Sequence, residues 1–95
     1  MAVRWLKVAL ENMVTIADFI AQDKPDRAAR FVQEIREKTR LLANFPSVGR
    51  AGRVAGTREL VAHKNFLVIY RVKGKSIEIL RVRHVAQKHA TKIDS

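Results

Sequence analysis

The chain contains no cysteine, which excludes both a disulfide framework and a thiolate metal site. No stretch approaches the roughly 18 consecutive apolar residues of a membrane span, so no membrane association is expected. The segment MAVRWLKVAL (1–10) is too short and too polar for a secretory signal, and the expected location is the cytoplasm. Repeats and low-complexity tracts are absent. Acidic residues are scarce: nine Asp and Glu stand against 19 Lys and Arg, giving a formal charge of +10 and a pI near 11.0.

What is present fits one soluble domain spanning 1–95, with 47% apolar and 29% charged residues. The charge is unevenly distributed. Residues 1–46 hold eight basic and six acidic side chains, whereas 47–95 hold eleven and three. All three histidines also lie in the second half. A merely soluble basic surface explains the sign of the charge but not its clustering. The clustering points to a polyanionic partner, either nucleic acid or an acidic protein.

VRWLKVAL (3–10) begins with strand-like alternation, and from about Glu11 the period becomes helical. Leu10, Met13, Val14, Ala17 and Ile20 form its expected inner stripe. DKPD (23–26) interrupts, with Pro25 suited to the first turn of a second helix. Ala28, Phe31, Val32, Ile35, Thr39 and Leu42 form the inner stripe of that helix, which Pro46 ends. So short a break predicts an antiparallel helix hairpin.

PSVGRAGRVAG (46–56) carries three of the four glycines and reads as a loop. TRELVAHK (57–64) alternates loosely. NFLVIYRV (65–72) is apolar through Tyr70, as in a central strand covered on both faces. KGK (73–75) is a tight turn, SIEILRVRH (76–84) the returning strand, and VAQKHATKIDS a short terminal helix or a tail. The predicted order is β-α-α-β-β-β: an α+β fold with a helix hairpin packed on a small, mainly antiparallel curved sheet.

Regular alternation in the last strand sends Ile77, Ile79, Arg81 and Arg83 to one face and Glu78, Leu80, Val82 and His84 to the other. Arg50, Arg53 and Arg58 surround the glycines of the loop. Freed backbone amides and guanidinium forks of this kind grip phosphate or carboxylate, but no GxxxxGK[ST] is present, and a plain glycine turn with solvated arginines is the alternative. Arg71 and Arg81 sit on otherwise apolar strands, so each must meet a carboxylate such as Glu59 or Glu78, or face a cleft. His84 is a candidate general acid–base; a structural or simply exposed imidazole is the alternative. Neither a metal site nor a cofactor is expected: Glu59 and His63 suit an ion only on a helix, and they lie on a strand. Tyr70 and Trp5 read as core.

Asp23, Pro25 and Ala28 (D-x-P-x-x-A), Phe45, Pro46, Gly49 and Arg50 (FP-x-x-GR), GTREL at 56–60, YRV at 70–72 and ILRV-x-H at 79–84 together resemble the RelE/ParE superfamily of bacterial type II toxins. The GTREL, YRV and ILRVRH stretches resemble its ParE-like branch more closely. The resemblance implies helices on a curved sheet and a cognate antitoxin that wraps the toxin in a hetero-oligomer, expected here to be acidic. It also implies one of two targets. ParE-like members act on DNA gyrase; RelE-like members cleave mRNA on the ribosome, and there His84, Arg81 and Arg71 would form the catalytic set. Under either target Arg50, Arg53, Arg58, Arg71, Arg81 and Arg83 are the expected contacts for target or antitoxin.

Overall fold

The computed structural model describes residues 1–85; the expected terminal helix or tail lies outside the described residues. The elements run β1 (Ala2–Trp5), α1 (Lys7–Ala21), α2 (Pro25–Leu41), β2 (Arg50–Ala51), β3 (Arg58–His63), β4 (Phe66–Lys73) and β5 (Ser76–His84). The sheet order is β1-β5-β4-β3-β2, antiparallel except for the β1–β5 pair. The two helices lie on one face of this sheet, which is the expected architecture.

Helix α1 begins four residues earlier than the alternation of VRWLKVAL suggests. Strand β1 stops at Trp5 opposite Ile79, and the Leu6 amide makes one last bond to the Ile79 carbonyl at 3.0 Å before the chain coils. The earlier start extends the inward stripe back to Ala9. Ala9 and Met13 are buried, Ile16 and Ile20 pack on the core, and Leu10 and Val14, expected inside, are exposed. For α2 the expected stripe holds: Ala28, Phe31, Ile35, Thr39 and the following Leu42 are all buried. Pro25 opens that helix, where its missing N–H costs no intrahelical bond.

The core closes between these stripes and Ala62, Val68, Tyr70, Ile77, Ile79 and Val82 of the sheet. Burying this much apolar surface is the main favourable term for a chain this small. Two tight turns fix the register. Gly74 (φ +61°) leads the two-residue β4–β5 turn, and Asn65 (φ 71°) closes the β3–β4 turn in a conformation Asn tolerates.

Two features differ from the expectation of a loop and a regular strand. The glycine-rich segment contains β2, pairing Arg50 with Glu59 and Ala51 with Arg58. Strand β5 is bulged: Tyr70 pairs with Ile79 but Ile69 pairs with Arg81, so Leu80 is an extra residue in the ladder. The bulge reverses the parity of everything after it. Ile77, Ile79 and Val82 therefore all face the helices, while Glu78, Arg81 and Arg83 share the open face.

Candidate functional site

The open face of the sheet, opposite the helices, carries a groove of about 780 Å³. Its floor is β4 and β5, and one wall is the β2–β3 hairpin tip, residues 53–57. Five cations line it: Arg53, Arg71, Lys73, Arg81 and Arg83. The apolar patches between them come from Val54, Ile69 and Leu80. The bulge at Leu80 is what makes this possible, since a regular β5 with Ile77 and Ile79 inside would turn Arg81 and Arg83 inward as well.

Two carboxylates belong to this face, and each is held by an arginine. The Arg71 Nε donates to the Glu78 Oε1 at 2.7 Å, across the Arg71–Glu78 register pair. The Arg71 hydrogen bond, opposed by desolvation and aided by the charges of Arg71, Lys73 and Arg4, keeps the Glu78 carboxyl below its ordinary pKa. Arg50 donates to Glu59 Oε1 through Nε at 3.3 Å, and its Nη2 lies at ion-pair distance, 3.3 Å, from the same oxygen. Among the described residues, Arg53, Lys73, Arg81 and Arg83 have no ion-pair partner, and the buried Nε of Arg83 lacks a hydrogen-bond acceptor. The groove is thus a field of uncommitted positive charge with apolar patches, suited to an anionic partner that also offers apolar surface.

The structure brings Arg53, Arg71, Arg81 and Arg83 together in the groove, leaves Arg50 outside its lining and bound to Glu59, and sets Arg58 and His84 elsewhere. Arg58, opposite Tyr70 in the β3–β4 ladder, faces away from the groove. Its Nη1 donates to the backbone carbonyls of Gly49 (2.7 Å) and Ser47 (3.3 Å). His84 pairs with Phe66 on the helix side, two residues on from the inward-facing Val82. Its ring meets Phe66 edge-on at 5.0 Å, and Phe66 in turn meets Phe31 at 4.9 Å. His63 belongs to the same aromatic cluster, and its Nδ1 meets the Glu34 carboxylate of α2. The catalytic set expected for RNA cleavage is therefore split by the sheet: Arg71 and Arg81 on one face, His84 on the other. Among the described residues there is no group of three metal-ligating side chains. No described helix is long and apolar enough to cross a membrane.

One groove cation, Lys73, escapes the sequence reading although it lies two residues after Arg71, the strand spacing that puts both on one face. Tyr70 is core, as expected, with a polar end: its Oη donates to the Pro46 carbonyl at 2.8 Å and accepts from the Gly49 amide at 2.9 Å.

The model of the ParE toxin of type II toxin–antitoxin systems (parDE) matches residues 3–89. The chain belongs to the ParE toxin family. Within the superfamily it is 40% identical over 87 residues to the Sinorhizobium fredii protein Y4kP, covering 90% of each chain. It is 33% identical over 83 residues to toxin RelE2 of Caulobacter vibrioides, covering 87% of this chain and 93% of that one. A chain of the chromosomal ParDE system from P. aeruginosa superposes with a TM-score of 0.80 at 32% identity, over 88% of this chain and 95% of that chain.

Proposed function

We propose that this ParE-family toxin binds DNA gyrase through the open-face groove and so blocks replication. In the same proposal a cognate antitoxin, acidic where it meets Arg53, Arg81 and Arg83, neutralises the toxin by covering those cations in a hetero-oligomer. The observation that carries the choice of target is the separation of His84 from Arg71 and Arg81 by the thickness of the sheet. Cleavage of RNA by its own 2′-hydroxyl needs a proton acceptor beside the cations that stabilise the phosphorane. The carboxylates of the open face, Glu59 and Glu78, are already held by Arg50 and Arg71. A binding surface needs no proton carrier.

The test is expression of the toxin without antitoxin in a bacterial host, scoring DNA damage and filamentation against arrest of translation. Gyrase poisoning gives double-strand breaks and long cells while protein synthesis continues. Immediate loss of translation with cleaved mRNA on the ribosome selects the ribosome-dependent endoribonuclease instead.

A further inference from the structure

The β2–β3 hairpin forms a wall of the groove, yet little of its own structure holds it there. Strand β2 has two residues, and a hairpin this short is marginal by itself. Its tip is closed internally by the Gly52 amide on the Thr57 carbonyl (2.8 Å), the Thr57 amide on the Val54 carbonyl (3.1 Å) and Thr57 Oγ1 on the same carbonyl (2.6 Å). Those bonds shape the tip but do not fix its position relative to the sheet.

Beyond the two β2–β3 register pairs and the Arg50–Glu59 contact, the segment is tied from the other face. Arg58 and Tyr70 are cross-strand partners, and both reach the segment leading into β2. Arg58 bonds the carbonyls of Ser47 and Gly49; Tyr70 bonds the Pro46 carbonyl and the Gly49 amide. Both backbone polar groups of Gly49 are therefore tied to side chains of the sheet. The fit is close, because a Cβ on Gly49 would lie 2.8 Å from the Tyr70 ring and hydroxyl. Among the described residues Arg58 has no carboxylate partner, so in a chain with surplus positive charge its guanidinium is given to main-chain oxygens. Such charge-assisted bonds are stronger than neutral ones.

We infer that Arg58 is a positioning residue: with Tyr70 it clamps the Pro46–Gly49 segment and thereby holds Arg53 at the groove wall, so that Arg58 governs partner affinity without touching the partner. This rests on the reading of the groove as the binding surface, and the experiment separates the two. Amide hydrogen exchange of the full chain is compared for the unaltered protein, Arg58→Ala, Arg58→Lys and Tyr70→Phe. Exchange at Gly49, Gly52 and Thr57 should rise about tenfold or more in Arg58→Ala and Tyr70→Phe, with Val68 in the central strand unchanged and Arg58→Lys in between. Unchanged exchange at the tip, or equal acceleration throughout the sheet, overturns the clamp.

Binding is then measured for Arg53→Ala, Arg58→Ala and the double variant, against gyrase and, independently, against a labelled decaglutamate peptide at low salt. Action through Arg53 makes the double variant no weaker than the weaker single one. Additive losses mean that Arg58 meets the partner directly and overturn the inference. Loss of gyrase binding by the unaltered protein would remove the gyrase reading alone, because exchange and decaglutamate still decide the clamp.

Discussion

Ile79 pairs with Tyr70 and Arg81 pairs with Ile69, so the chain between them holds one residue, Leu80, that β4 does not match. Without that residue Arg81 could not share the open face with Glu78 and the Arg71 that grips it. A β-bulge changes which way side chains point without breaking the sheet, and here it divides a buried strand half from a cationic one. Substituting both arginines across this division, Arg81→Glu and Arg83→Glu, should abolish toxicity on expression. Arg27→Glu and Arg30→Glu, on the exposed side of α2, should leave it intact. The changes at Arg81, Arg27 and Arg30 should each alter stability by no more than about 0.5 kcal/mol, since exposed charges away from special features rarely do more; Arg83 is half-buried and outside that range of sites. Growth curves with circular-dichroism melts check both halves of the statement.

His84→Ala provides a second division. The imidazole packs against Phe66 on the helix side, so its loss should lower stability modestly while toxicity persists. Truncations of this kind in a partly buried site fall in the common range of about 0.5–3 kcal/mol. Loss of toxicity in a variant whose melting curve shows it folded would assign His84 a role in chemistry.

The Arg71–Glu78 pair should show itself in the acid limb of stability. The carboxyl of Glu78 titrates below its ordinary value in the folded chain, so its stabilising effect is present above the unfolded pKa of about 4.3 and disappears as pH falls through the lower folded value. Glu78→Gln should therefore melt earlier than the unaltered protein at pH 7, and the gap should close as pH is lowered below about 4. A gap that is constant from pH 7 to pH 2 would mean the pair contributes through packing alone.

Much of this molecule can be read from its sequence. The inner stripe of α2, Pro25 at its start, the Gly74 turn and the apolar centre of β4 each follow from local rules of period and backbone freedom. The two errors of orientation have one kind of cause. For α1, the alternation of Val3 through Val8 hides a helix that starts at Lys7, because the pairing that ends β1 is with a strand some seventy residues away. For β5, regular parity fails at a bulge that only the β4 register creates. The same limit applies to Arg58: a cation next to glycines looks like a ligand for phosphate until tertiary contacts supply its two carbonyls. Arg71 and Glu78, in contrast, could be foreseen as partners, since a guanidinium on an apolar strand must meet an acid or a cleft.

Gly49→Ala tests the close approach beneath the hairpin. The new methyl would lie 2.8 Å from Tyr70 Cε1 and Oη and 2.9 Å from the Glu59 carbonyl, with no flexible side-chain end to move aside. Overpacking of this type costs about 1–3 kcal/mol, and in a domain this size each kcal/mol lowers Tm by roughly 4–8 °C. Calorimetry on the purified variant checks it, and a Tm within error of the unaltered protein would show that the segment relaxes freely.

Association with an acidic partner should be steered by the groove's charge and retained by its apolar patches. Raising salt should slow association steeply with little change in dissociation, whereas Val54→Ala and Leu80→Ala should speed dissociation. Stopped-flow or surface-resonance kinetics across a salt series separates the two rates. An association rate indifferent to salt would contradict this division.

Whether Arg81 and Arg83 make the groove a surface for gyrase is tested most directly by a supercoiling assay with purified gyrase and purified toxin. Unaltered toxin should halt supercoiling of relaxed plasmid, Arg81→Ala/Arg83→Ala should restore it, and His84→Ala should inhibit like the unaltered chain. Normal supercoiling in the presence of excess unaltered toxin would contradict that role of the groove.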